Sequence, residues 1–190
     1  MGQLAQYQVC VDGKEVRGTI KKGHKHASVQ ILTVWVREVN ASLGEVRIST
    51  KSNEIDATPE LLKVLDLQGA VVTADALNCQ KKTARTILDR GGQYLLALKE
   101  NQGALFEQVR DQFQRRSSSL IPVESLENEH NRIDRRTVWV DSDVRWLDAG
   151  LDWPGLQTVV MVKRERLHLA NNVHSISAVY WINARSRWLI

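Results

Sequence analysis

Between residues 54 and 116 the chain alternates helix, strand, helix, strand, helix, which restricts it to α/β folds. Apolar residues at helical spacing in "SNEIDATPELLKVLDLQG" predict a helix entered after Pro59 and ending at Gly69. The amphipathic run "CQKKTARTILDRGG" predicts a second helix that stops at Gly91 and Gly92, and "ENQGALFEQVRDQFQRRSSS" predicts a third. The short apolar runs "AVVTAD" and "QYLLALK" lie between them, so we expect parallel strands there.

The segments on either side of this alternation are rich in β-formers. "YQVCVDG", "ASVQILTVWVREV" and "NASLGEVRIST" follow one another at hairpin spacing and predict three antiparallel strands. From residue 132 onward, "RIDRRTVWVDSDV", "LQTVVMVKRERLHL" and "HSISAVYWIN" predict three more strands. We therefore expect a mixed α/β core over residues 1–116 and a β-rich insertion or extension over residues 117–190.

The composition sets weak limits on function. Twenty-six Lys and Arg residues against 22 Asp and Glu residues give a net charge of +4, which permits a polyanionic partner without requiring one. The two cysteines, Cys10 and Cys79, are not spaced as a metal-binding pair and favour a reducing compartment. No signal architecture opens the chain and no apolar run approaches the roughly 20 residues of a membrane span. We expect a soluble, cytoplasmic protein with no membrane partner.

Two of the predicted strands end on a carboxylate, Asp12 in the first and Asp75 in the fourth. An unpaired acid at the end of a buried strand is costly to desolvate, so each position calls for a partner. Ribonuclease H-like folds have this order of hairpins, helix and strand, and they place the first and fourth strands side by side. The two acids would then be neighbours, and a divalent cation such as Mg²⁺ between them would relieve their repulsion.

Each acid also has a structural interpretation. Asp12 precedes Gly13, and on pattern alone an Asp-Gly turn is the favoured explanation. Asp75 stands before "NCQKK", where a helix N-cap is about as plausible as a metal ligand. The sequence pattern by itself leaves both alternatives open.

Several cations are candidates for contact with DNA phosphates. A basic loop follows the first acid directly, Lys99 ends the fifth strand, and three arginines open the first strand of the C-terminal region. The alternatives are a solvated loop and charged strand edges that prevent aggregation. The DNA-binding candidates of the loop are Lys14, Arg17, Lys21, Lys22 and Lys25, and the three arginines are Arg132, Arg135 and Arg136.

Three stretches carry a resemblance to a known family. "VCVDGKEVRG", "STKSNEIDATPELLKVLDLQGAVVTADALNCQKKTA" and "GGQYLLALKENQ" closely resemble the catalytic domain of DDE-type insertion-sequence transposases of the H-repeat-associated kind. The resemblance runs from about Val9 to Gln102 and continues more loosely to "AVYWIN". It implies a ribonuclease H-like fold in which Asp12 and Asp75 are catalytic residues that bind Mg²⁺ or Mn²⁺. Glu54 lies in a matching stretch and is as easily a residue of a helix's first turn.

The chain also departs from the family pattern. The family's third acid is a Glu in a segment resembling "HWxIEN", and the chain stops at Ile190 before any such segment. Asp134 in "HNRID" stands at a conspicuous acid position and is a further metal-ligand candidate. We therefore expect a transposase domain truncated at both ends, with impaired cleavage and transfer of double-stranded DNA at insertion-sequence ends. Self-association as a homodimer is a further expectation.

Two other functions remain open at this point. One is a catalytically inactive DNA-binding or interaction remnant of a transposase, and the other is a standalone ribonuclease H-like nuclease. Whether any acid completes the metal site distinguishes the first of these from an active enzyme.

Overall fold

The computed structural model describes residues 7–16, 29–48, 51–148, 152–170 and 173–184. Within these residues the chain is mixed α/β and divides into two compact units, Met1–Leu96 with Trp153–Gly155, and Ala97–Asp152 with Leu156–Ile190. The expected domain boundary at residues 116 and 117 stays a prediction. Among the described residues, no helix has the length and apolar character needed to cross a bilayer.

The first unit is a sheet with strand order β3-β2-β1-β4-β5 and two helices. Strands β1 to β3 pair antiparallel, whereas β4 pairs parallel with both β1 and β5. Both kinds of pairing confirm the sequence prediction. The bounds are β1 Gln8–Val16, β2 Val29–Val36, β3 Ala41–Ile48, α1 Lys51–Lys63, β4 Val71–Ala74, α2 Lys81–Asp89 and β5 Gln93–Leu98, whose last two residues belong to the second unit.

Alternating side chains of the central strands build the core of this unit. Val9 and Val11 of β1 are buried, as are Leu32 and Val34 of the neighbouring β2, while Cys10 between the valines is partly exposed. A period of two places such residues on one face of a sheet, where burial of each Val or Leu stabilises the fold by about 1.5–3 kcal/mol. The frame that carries the two acids is therefore well packed.

Three predicted element ends in this unit are wrong. β1 does not end at Asp12 but continues to Val16, because β2 supplies an antiparallel partner as far as Val29. α1 begins at Lys51 and contains Pro59, which is buried, although proline removes one backbone donor from a helix. The same helix ends at Lys63, before Gly69. Tertiary packing has overridden the local proline and glycine signals.

The end of α2 agrees with its glycine signal. Gly91 has a φ of +74°, a backbone conformation that glycine adopts without strain. The amide of Gly92 donates to the carbonyl of Ile87 over 3.0 Å, and the amide of Gly91 donates to that of Leu88 over 2.9 Å. These bonds satisfy carbonyls of the last helical turn and confirm the predicted stop.

The second unit is an antiparallel sheet with strand order β9-β8-β7-β6 and one helix, α3. Its elements are α3 Gly103–Arg116, β6 Val123–Glu129, β7 Arg132–Asp141, β8 Thr158–His168 and β9 Val173–Asn183. Helix α3 and strands β7, β8 and β9 confirm the sequence predictions, whereas β6 was not predicted. That strand is exposed along its whole length and reads "VESLENE", so it lacks the apolar alternation of a buried strand.

Candidate active site

Asp12 and Asp75 follow paired residues of two neighbouring parallel strands. The β1–β4 ladder runs from Gln8 with Val71 to Val11 with Ala74; Asp12 is the next residue of β1, and Asp75 is the first residue after β4. Adjacent strands lie about 4.8 Å apart, so the two backbones are close where the acids project. The predicted pairing of the first and fourth strands is confirmed. Both side chains are exposed.

The hydrogen-bond ladder excludes an Asp-Gly turn at Asp12. Asp12 pairs with Thr33 of β2, and Gly13 pairs with Leu32, so both residues lie within the antiparallel ladder. Asp12 therefore stands where β1 separates from β4 while it stays paired with β2. A carboxylate at such a point can remain solvated on one side of a fixed strand.

Asp75 begins a tight turn and does not cap the following helix. Its Oδ1 accepts a hydrogen bond from the backbone amide of Asn78 over 3.1 Å. Helix α2 starts later, with Gln80 as its N-cap residue and no side-chain capping bond. The turn holds the Asp75 carboxylate next to the end of β4.

A network of buried polar side chains is hydrogen-bonded to Asp75. The Nδ2 atom of Asn78 donates to Asp75 Oδ1 over 3.1 Å and to Glu54 Oε1 over 2.8 Å. The hydroxyl of Thr58 donates to Asn78 Oδ1 over 2.6 Å. Thr58 and Asn78 are fully buried and Glu54 is 5% exposed. Neither Thr58 of α1 nor Asn78 of the turn was predicted from the sequence, since nothing in a single sequence marks either polar residue as buried.

Glu54 also reaches the backbone of β1. A side chain on Gly13 would place its Cβ within 2.7 Å of Glu54 Oε1 and closer still to Oε2. Successive residues of a strand point to opposite faces, so Glu54 lies on the face opposite the Asp12 side chain. The Glu54 carboxyl group therefore packs against β1 at Gly13, on the face away from the Asp12 side chain.

The donor chemistry of the two strand-end acids suits a hard divalent cation. Carboxylate oxygens are ligands that Mg²⁺ favours, and Mg²⁺ is commonly held by one or two carboxylates together with waters and substrate phosphates. Within the described segments, no three His, Cys, Asp or Glu side chains form a group that could hold a metal.

The predicted DNA-binding cations are only partly described. Lys14 is exposed on β1, two residues beyond Asp12 and hence on the same face of the strand. Lys99 is exposed and immediately follows β5. The positions outside the described residues are Arg17, Lys21, Lys22 and Lys25.

Asp134 lies in the second unit and is bound by arginines. Arg166 donates to its Oδ1 over 2.6 Å and to its Oδ2 over 3.0 Å, and this pair holds the pKa of the Asp134 carboxyl at about 2. Arg132 and Arg136 approach Oδ2 to 3.6 and 3.9 Å. Asp134 is 2% exposed and forms the centre of an ion cluster whose arginine side chains are partly exposed.

Two of the predicted DNA-binding arginines have further partners on the neighbouring strands. Arg135 lies 3.7 Å from Glu165, and Arg136 forms a hydrogen bond with Glu127. Since these cations already neutralise acids of the same sheet, contact with DNA would have to compete with those ion pairs. Their role in DNA binding stays a prediction.

Comparisons with known proteins identify similar chains. The family described as "Transposase DDE domain" matches residues 4–189. An "Uncharacterized protein in dhlA 3'region" of Xanthobacter autotrophicus is 41% identical over 84% of this chain and 54% of its own length.

Two proteins of Escherichia coli are also similar. The "Putative transposase YncI" of strain O157:H7 is 31% identical over 93% of this chain and 47% of its own length. The "H repeat-associated putative transposase YhhI" of strain K12 is 31% identical over 78% and 40%. The chain spans about half the length of the curated relatives it matches.

Proposed function

Because the chain belongs to the transposase DDE domain family, we propose that it forms a ribonuclease H-like catalytic domain that cleaves and joins DNA strands during transposition. The similarity to an H repeat-associated relative agrees with the resemblance identified in the sequence. The observation that supports the proposal best is the register of β1 and β4, which pairs Val11 with Ala74, the residues directly before Asp12 and Asp75.

Asp12 and Asp75 would hold Mg²⁺ or Mn²⁺ in this proposal. When bound, such ions activate a water or a 3′-hydroxyl for attack on a phosphodiester and stabilise the leaving oxygen. Asp134 is the weakest ligand candidate, because Arg166 donates to both of its oxygens. A DNA phosphate and waters can fill the remaining positions of a hard cation.

The chain's own residues would fix the position of the reacting strand. The residues before the two acids, Val11 and Ala74, are partners in the β1–β4 ladder, so the sheet would hold the acids in place for the reacting strand. Lys14, exposed on the same face as Asp12, would attract the DNA backbone without reading its sequence. Lys99 and the basic positions between residues 17 and 25 are further proposed phosphate contacts.

Nicking of supercoiled DNA in the presence of Mn²⁺ or Mg²⁺ tests the proposal. The comparison includes the native chain, Asp12→Asn, Asp75→Asn and, as a matched control, Asp89→Asn, which removes an exposed acid from the end of α2. We expect metal-dependent nicking that either active-site substitution abolishes and the control retains. Nicking that survives Asp75→Asn would contradict the proposed site.

A second candidate function is DNA binding without catalysis. It is favoured by the finding that no three acids within the described segments are grouped as a metal site. The same experiment separates the two functions when it is combined with a DNA mobility-shift measurement. Binding to double-stranded DNA that is unaffected by Asp12→Asn, together with no nicking, would support this alternative. A standalone nuclease would nick DNA but would not join strands.

A further inference from the structure

We propose that Asn78, Glu54 and Thr58 form a positioning unit, the Asn78 brace, that fixes Asp75 relative to the strand carrying Asp12. The inference rests on the proposed function, because it assigns these residues to the support of the metal-binding acids. None of the three is proposed to touch the metal or the DNA.

The buried hydroxyl of Thr58 sets the orientation of the Asn78 side-chain amide. Thr58 donates to Asn78 Oδ1 over 2.6 Å, so the oxygen faces the hydroxyl and the Nδ2 group must face the acids. Both protons of Nδ2 are then used, one by Glu54 Oε1 at 2.8 Å and one by Asp75 Oδ1 at 3.1 Å. Thr58, Asn78 and Glu54 are buried, and a buried network whose donors and acceptors are satisfied favours one arrangement.

Asp75 receives two hydrogen bonds from the same residue. The backbone amide and the side-chain amide of Asn78 both donate to Oδ1, each over 3.1 Å. Two donors from one residue restrict the rotation of the carboxylate, and neither of them uses Oδ2. Groups that orient metal ligands in this way typically change metal affinity by 10- to 100-fold when they are removed.

Glu54 connects the brace to the other acid-bearing strand. Its carboxyl group lies against Gly13, the residue after Asp12, on the opposite face of β1. The Glu54–Asn78 hydrogen bond therefore links the backbone of β1 to the side chain of Asp75. This placement makes Glu54 a support for both acids, and it separates Glu54 from the face on which Asp12 would bind a metal.

Mn²⁺ affinity of the full chain, measured from the electron paramagnetic resonance signal of free Mn²⁺, tests the brace. We expect Asn78→Ala to weaken binding about 10- to 100-fold. Glu54→Gln retains an oxygen that can accept from Asn78, so we expect an affinity within about threefold of the native value. Thr58→Val removes only the hydroxyl that donates to Asn78, so its Mn²⁺ affinity should lie between those of the other two variants. It replaces Asn78→Ala in the comparison if that variant does not fold.

Two controls separate positioning from general destabilisation. Ile87→Ala removes a fully buried side chain from α2 and should lower the melting temperature without changing Mn²⁺ affinity below it. Asp75→Asn should lose binding. Circular dichroism confirms that each variant is folded at the assay temperature.

Different outcomes overturn different conclusions. Native affinity in folded Asn78→Ala, with binding lost in Asp75→Asn, would overturn the brace and leave the proposed function intact. A loss in Glu54→Gln as large as that in Asp75→Asn would make Glu54 a ligand and would also overturn the brace. No Mn²⁺ binding by the native chain would overturn the proposed metal site itself, and the brace with it.

Discussion

The carboxyl group of Glu54 fills the space where a side chain on Gly13 would begin. Glu54 is buried and hydrogen-bonded to Asn78, so it cannot swing away without breaking that bond. Close packing of a helix residue against a strand thus explains the glycine at position 13. Asp12 and Gly13 do not form a turn, because both are paired with β2.

The first prediction concerns Gly13→Ala. The added Cβ would meet both carboxyl oxygens of Glu54, and relief would require the loss of the Glu54–Asn78 hydrogen bond. We expect a loss of about 1–3 kcal/mol in the free energy of unfolding, measured by urea denaturation. In a Glu54→Ala background the same substitution should cost less, and equal costs in both backgrounds would contradict the packing explanation.

The second prediction concerns Asp12→Asn. The register of β1 and β4 places the two acids after paired residues, and neutralising one lowers the negative charge there, so the melting temperature in EDTA should be unchanged or slightly higher. The native chain should gain about 5–10 °C at a Mg²⁺ concentration near 100 times its dissociation constant. We expect the variant to lose this gain. A gain equal to that of the native chain would argue against Asp12 as a ligand.

The third prediction concerns stability in acid. Arg166 lowers the pKa of Asp134 to about 2 from 3.8, so the ionised pair stabilises the fold above pH 4 and is lost as the pH falls towards 2. Asp134→Asn should therefore be less stable than the native chain at pH 7, with a flatter loss of stability between pH 4 and pH 2. Urea denaturation at several pH values measures both effects.

Asp143 provides the control for that experiment. Its hydrogen bond from Arg145 also lowers the carboxyl pKa to about 2, so some acid dependence should survive in Asp134→Asn. Asp143→Asn should remove a separate share of it. An unchanged slope in Asp134→Asn would show that the ion cluster is already formed in the unfolded chain or contributes nothing.

The fourth prediction concerns Tyr94→Phe. The Tyr94 hydroxyl is buried and donates to the carbonyl of Pro154 over 2.7 Å. Its loss leaves that carbonyl unpaired, and we expect a cost of about 1–3 kcal/mol in the free energy of unfolding at pH 7. Burial also raises the pKa of the phenol, so the native chain should lose stability as the pH rises above 10. That alkaline loss should be smaller in the variant, and an unchanged alkaline slope would contradict the assignment.

Burial of the Cys79 thiol contributes to the same alkaline range. It raises the pKa of Cys79 to about 12 from 9.0, so part of the stability lost above pH 9 should remain in Tyr94→Phe. Cys79→Ala in the same measurement isolates this share. Both groups are buried in the first unit, where ionisation would require a charge without water around it.

The order of elements was predictable because its signals are local. The alternation that predicts β1 is visible in Val9 and Val11 of a single strand. The glycine pair that predicts the end of α2 likewise lies within a single turn. Strand β6 escaped prediction for the same reason, since its acidic sequence carries no local β signal and depends on pairing with β7. The proline signal in α1 failed where packing outweighed propensity.

By itself the sequence determined the family, the mixed α/β class and the pairing of the first strand with the fourth, which places Val11 and Ala74, the residues before Asp12 and Asp75, side by side. Only the tertiary structure decided that Glu54 is buried against Gly13 and that Asn78, 24 residues from Glu54 along the chain, joins it to Asp75. It also decided that Asp134 forms an ion pair with Arg166, which lies 32 residues away along the chain. The physical reason is that a polar side chain's burial and partners depend on long-range strand register and helix packing, which local periodicity does not encode.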